Sequence, residues 1–197
     1  MTTTTQTNTF DLFIKLIKKW LMDLGVNAQL FNELAGDEDL PMWVRSLVIG
    51  VLLYLDAAAD LIPEKLRFIG LIDDMLVMVI GLVIIVPQIP EERLLYYRQK
   101  YEAVDKIGEY EKTMKSTLGI LSERLTLFVE TLRKRTYKNK TTEEVAQSAE
   151  LREALFDETM VFVANLGLDP DTLDKEVKLL PSPEKVIGLL SSGLEKA

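Results

Sequence analysis

Four aspartates, Asp56, Asp60, Asp73 and Asp74, fall between two strongly apolar runs, Ser46 to Leu55 and Met75 to Ile89. Carboxylates beside that much apolar surface must be paired, solvated or bound to a cation. Asp56 and Asp60 are one helical turn apart, and folding the runs into a helical hairpin brings them toward Asp73 and Asp74 at its turn end. Such an oxygen-only cluster suits Mg²⁺ or Ca²⁺. The same acids also fit a structural use, which is the commoner one: Asp73 accepting backbone N–H bonds at the start of the second helix, and Asp60 paired with Arg67. Acid/base catalysis comes third, because paired carboxylates do such work but no nucleophile, phosphate loop or cofactor motif accompanies these. No catalytic residue is assigned, and no cofactor is expected apart from that divalent cation.

The motif residues Asp60, Pro63, Gly70, Asp73 and Asp74 also stand in a recognisable order. An Asp-x-Ile-Pro element, then a short connector, then Gly-x-x-Asp-Asp leading into an apolar helix resembles the YkvA-like domain, a bacterial family of unknown function. The resemblance covers residues 42–90. Two positions depart from the family pattern: Ala58 replaces a proline, and Glu64 stands where the acid after Pro63 is usually Asp. Since that family has no established reaction, the resemblance implies a helical hairpin and a motif, and assigns no catalytic role.

Composition removes whole classes of chemistry. The 197 residues contain neither cysteine nor histidine, which excludes disulfides, thiol nucleophiles, Cys/His zinc sites and His-based triads. The start, Met1 to Thr9, is a polar threonine-rich stretch without the features of a secretory leader, so a cytoplasmic location is expected. The net charge of −8 is uneven. Residues 1–90 carry six basic and eleven acidic side chains, 91–140 twelve and eight, and 141–197 five and twelve. Nucleic-acid binding by the whole chain does not fit that balance, whereas the basic middle segment, densest at Arg133-Lys134-Arg135 with Lys138 and Lys140, fits a helix C-terminus or contact with anionic lipid.

The elements that position these residues read as all-α. After a flexible tail over 1–9, the spacing predicts a helix from Phe10 to Leu24, its face formed by Phe13, Ile14, Ile17, Trp20, Leu21 and Leu24, ending at Gly25. A shorter helix over Ala28 to Leu34 leads to the hairpin, which closes a first unit of residues 10–90. From Glu91 to Tyr137 a long charged helical stretch carries Met114, Leu118, Leu121, Leu125, Phe128 and Leu132 at four- and three-residue steps. Such a helix would run about 70 Å at ~1.5 Å per residue, so it must pack, self-associate or break near Gly108 or Gly119. Lys138-Asn139-Lys140 reads as a linker. Residues 141–197 form an acidic helical region: Thr141 and Glu144 have capping-box spacing before a helix to Gly167, Asp169-Pro170 opens a short helix, and Val186 to Leu194 closes the chain.

Two placements fit the hairpin. Counting in the flanking acids, Trp43–Ile62 and Phe68–Ile89 are long enough to span a bilayer, with Tyr96, Tyr97 and Tyr101 as an interfacial belt; without them both runs are short enough for a soluble core. The functional expectation is a non-enzymatic, membrane-associated helical adaptor or scaffold, with a membrane or membrane protein as one partner and a protein partner or second copy on the long helix. The alternatives are a soluble helical binding protein with a carboxylate cation site and a metal-dependent hydrolase.

Overall fold

In the computed structural model the backbone is described for residues 2–55, 61–62 and 64–197, and side chains for the same residues except 2–8 and 64–67. Asp56, Asp60, Pro63, Lys65 and Arg67, including the expected Asp60–Arg67 pair, lie outside the described side chains. The chain is all-α. Its helices are α1 Thr2–Met22, α2 Leu24–Gly36, α3 Met42–Leu55, α4 Ile72–Ile85, α5 Glu91–Lys100, α6 Glu102–Asp105, α7 Ile107–Leu118, α8 Ile120–Thr131, α9 Thr142–Gln147, α10 Ala149–Asn165, α11 Pro170–Lys178 and α12 Pro183–Leu194, with one two-stranded hairpin, β1 Thr136–Tyr137 and β2 Lys140–Thr141. Short 3₁₀ segments cover Glu64–Leu71, Val86–Gln88 and Leu132–Lys134.

The helical hairpin forms the centre. All but a few side chains of α3 and α4 are buried, so these helices need no polar face. α3 and α4 pack closely because Gly81 removes a side chain where they cross, a Cβ there coming within 2.9 Å of Val51, while a Cβ on Gly50 would collide with the Leu132 carbonyl on another side of α3. Around this centre α2 packs on α3 and α1 on α4, α7 and α8 lie against α4, and α9 and the Leu132–Lys134 turn lie against α3.

Several expectations need correction. The N-terminal tail is helical from Thr2. Once Phe10 and Phe13 are docked, extending a helix costs no new nucleation. The first break comes at Asp23, two residues before the expected one, and Gly25 lies inside α2 facing Met160 and Val163 of α10. The expected face of α1 is fully inside the protein, and Lys18 and Lys19 pair with Asp174, Asp23 and Glu102.

The single long helix over 91–137 does not exist. It breaks at Tyr101, which is extended (φ −127°, ψ 111°), at Lys106, and at Gly119 (φ 55°, ψ −129°). Gly119 adopts a backbone shape that L side chains rarely take. Gly108, by contrast, sits within α7, just past the Lys106 break. The breaks let one apolar stripe wrap a compact core: Met114, Leu118, Leu121, Leu125 and Leu132 are buried against the protein's own helices. Their neighbours are α1, α4 and α12, whereas α10 packs mainly on α2, α9 and α3.

Lys138 and Asn139 form the turn of the β-hairpin and are not a linker. Both have positive φ, 49° and 62°, as a two-residue type I′ turn requires. The capping box at Thr141 and Glu144 is present, with bonds of 3.2 and 2.8 Å. Its helix nevertheless ends at Gln147, because Ser148 is extended and starts α10 by accepting the Leu151 N–H at 3.3 Å.

Candidate functional site

Tyr54, at the end of α3, and Asp73, in the first turn of α4, meet inside the core. The Tyr54 hydroxyl donates to Asp73 Oδ2 at 2.7 Å, and the same oxygen accepts the Ile62 N–H at 3.1 Å. Tyr54 in turn accepts the Leu61 N–H at 2.9 Å. Two backbone donors from the segment joining the helices therefore end on one tyrosine–aspartate pair. A carboxylate in the first turn of a helix also gains from the helix dipole.

Burial pushes the Asp73 carboxyl up to about 6, against the opposing effect of the bonds from Tyr54 and the Ile62 and Leu61 amides. Burial, followed by the neighbouring Asp73 charge, raises Tyr54 above its ordinary range and keeps it a proton donor. Asp73 Oδ1 is buried and accepts no hydrogen bond among the described residues. The Arg135 guanidinium lies 4.9 Å from the centre of the Tyr54 ring and donates to the Leu53 carbonyl at 3.2 Å. Phe128 meets the other part of that ring edge-on, with centroids 5.8 Å apart.

Asp73 and Asp74 are both buried, and Gly70 is buried in the 3₁₀ segment leading to them. Asp73 does not cap α4. Leu71 stands at the cap position without a side-chain bond, and the Asp73 carboxylate serves the connector's backbone instead. Among the described residues no three acids come together as a metal-ligand group. Asp56 and Asp60 are outside that description.

Two further buried polar centres were not visible in the residue spacing. Arg45 inserts its guanidinium between two helix ends, donating to the Ala35 carbonyl at 2.9 Å and the Ala146 carbonyl at 2.5 Å. Those carbonyls close α2 and α9, where unsatisfied acceptors accumulate. Arg152 donates to the same Ala146 oxygen at 2.6 Å, and burial together with the nearby Arg45 charge lowers its pKa.

Asp37 Oδ2 accepts from Tyr97 at 2.7 Å and from both Arg93 Nε and Nη2 at 3.1 and 3.0 Å, and Asp37 Oδ1 accepts the Asp39 N–H at 3.1 Å. Burial works against this carboxylate, but the four donors together hold its pKa below the ordinary value. Arg45 and Arg93, on either side of the hairpin, thus do separate structural work. Of the expected aromatic belt, Tyr97 and Tyr101 are buried and Tyr96 is exposed.

The basic cluster after α8 is likewise divided, with Lys138 paired to Glu158 at 3.0 Å and Lys140 to Glu144 at 3.3 Å. Among the described residues one helical stretch, Phe68–Gln88, is long and apolar enough to cross a membrane, and 78% of its apolar window is buried inside the protein. Met42–Leu55 is shorter. Compared with family models, curated proteins and solved structures, the chain matches none.

Proposed function

We propose that the protein is a non-enzymatic helical adaptor or scaffold whose apolar hairpin is its own core. One observation carries this reading: several of its buried polar side chains bond to backbone groups that the helix ends and connectors leave over. Asp73 and Tyr54 receive the Leu61 and Ile62 amides, Arg45 closes α2 and α9, and Asp37 receives the Asp39 amide. Groups used this way rigidify a framework. A protein partner is the ligand class for such a framework. Ile120 and Leu127, 78% and 65% exposed and two turns apart on α8, give it two apolar contact points with Glu123 and Arg124 between them. A photo-crosslinking residue at Leu127 should give a discrete protein adduct in cells, lost on Ile120→Lys. A folded protein that gives no adduct contradicts the reading.

A membrane-inserted form is a second reading, favoured by the length and apolar character of Phe68–Gln88. It requires the core to open, because that segment's surface is already covered. A divalent-cation site is favoured by one feature, the buried Asp73 Oδ1 without a hydrogen bond. Against it, Asp73 Oδ2 is already committed to two donors. Calorimetric titration with Mg²⁺ and Ca²⁺ decides that point. The YkvA-like resemblance of residues 42–90 belongs to the same proposal, supported by buried Gly70, Asp73 and Asp74 following one another at the turn end.

A further inference from the structure

The chain turns back at Gly167, which has a positive φ of 56°, and Asp169 opens α11 by accepting the Asp171 and Thr172 N–H groups at 3.0 Å each. The turn, the end of α10 and the start of α11 enclose, with the end of the 3₁₀ segment before α4, a cavity of about 420 Å³ open to solvent on one side. Phe68 and Leu173, 4% and 1% exposed, are its most deeply buried lining, and the half-buried Leu71, Phe162, Leu166 and Leu168 complete its apolar wall. Large hydrocarbon side chains that keep contact with water inside one concave space are where an apolar ligand gains most from burial.

The lining defines the occupant. An apolar cavity of about 150 Å³ holds one benzene ring. This one is nearly three times larger, more than a single docked side chain would fill and enough for a chain of on the order of ten carbons. Four of the six hydrocarbon side chains are leucines, whose branched tips shape around a flexible chain and offer no flat face for a ring to stack on. The polar lining sets the head. The Thr172 hydroxyl is committed to Asp169 Oδ2 at 2.6 Å, and Glu176 is the one charged side chain among the described lining residues. An anionic head would meet that like charge and no basic side chain among them, so an uncharged head is favoured.

We infer that this cavity binds the alkyl chain of a free single-chain amphiphile with an uncharged head, the chain lying between Phe68, Phe162 and Leu173 and the head at the open side. The probes are 1-hexanol, 1-octanol and 1-decanol, titrated as monomers into the full chain by calorimetry. Each should saturate at one per chain, with affinity rising about fourfold for every methylene added from hexanol to decanol. Decanoate at pH 8 should bind at least about threefold more weakly than decanol. Leu168→Trp, which fills the cavity from a half-buried position between α10 and α11, should abolish decanol binding with melting little changed, and Leu166→Trp decides the matter if that variant fails to fold. Absence of saturable decanol binding, affinity independent of chain length, decanoate binding as tight as decanol, or full binding by a folded Trp variant would overturn the inference.

Discussion

Tyr54 reaches Asp73 over 2.7 Å across nineteen positions of sequence, joining the end of one apolar helix to the start of the next. That bond and the two amides gathered on the pair make the turn end of the hairpin part of the core. Tyr54→Phe removes the donor to Asp73 and the acceptor for Leu61 while keeping the ring between Arg135 and Phe128. Leaving a buried group unsatisfied costs about 1–3 kcal/mol, so urea denaturation should show a loss of that order. A loss below ~0.5 kcal/mol would mean that solvent reaches these groups.

Asp73 gives a pH dependence of defined sign. Its folded pKa of about 6 lies above the ordinary 3.8, so the folded state holds the proton more tightly than the unfolded chain. This group's contribution is fully present below about pH 4 and falls as pH rises to about 6. The loss at neutral pH is on the order of 3 kcal/mol. Asp73→Asn, whose carbonyl still accepts from Tyr54 and Ile62, should therefore be at least as stable as the wild type at pH 7.5 and gain less, or lose, at pH 4.5. Denaturation curves at both pH values test this. A variant destabilised equally at both would show that charge at Asp73 is not the issue.

Gly50 lets α3 lie directly against the backbone of Leu132. Gly50→Ala should cost about 1–3 kcal/mol by overpacking, read as a lower melting temperature. Gly108→Ala, with nothing near its Cβ and a helical backbone, should be neutral or slightly stabilising. Similar losses from both would remove the packing argument.

Arg45→Met keeps the stem in place but takes away the donors that close α2 and α9. The two carbonyls then lack that partner, and a loss of about 2 kcal/mol is expected, with faster hydrogen exchange at the ends of both helices. Unchanged exchange at both ends would contradict a closing role for Arg45; unchanged exchange at the end of α9 alone would show that Arg152 suffices there.

Legibility in the sequence followed the range of each interaction. The stripe of α1 and the Thr141–Glu144 capping box depend on residues within a few positions of each other, and both were readable; a break at Gly119 was one of several outcomes the spacing left open. The breaks at Tyr101 and Ser148 were not readable, because each extended residue is fixed by what its neighbours pack on. The Lys138–Asn139 turn hid behind strands of two residues each, too short to alternate. The acids at the turn end drew attention because carboxylates beside apolar runs are costly, but which partner satisfied Asp73 was a long-range fact. Tyr54 reads in the sequence as one more large side chain in an apolar helix. A tyrosine at the end of such a run, facing an acid at the start of the next, is the signal that would have found it.

The central claim is that the hairpin of α3 and α4 forms a protein core and is not inserted in a bilayer. Flotation of the untagged, detergent-free protein with liposomes containing anionic lipid tests this most directly. The account predicts a monodisperse protein that stays at the bottom of the gradient, with α4 amides among the slowest to exchange whether or not liposomes are present. Co-flotation that resists carbonate washing, accompanied by loss of Tyr54–Asp73 protection, would contradict it.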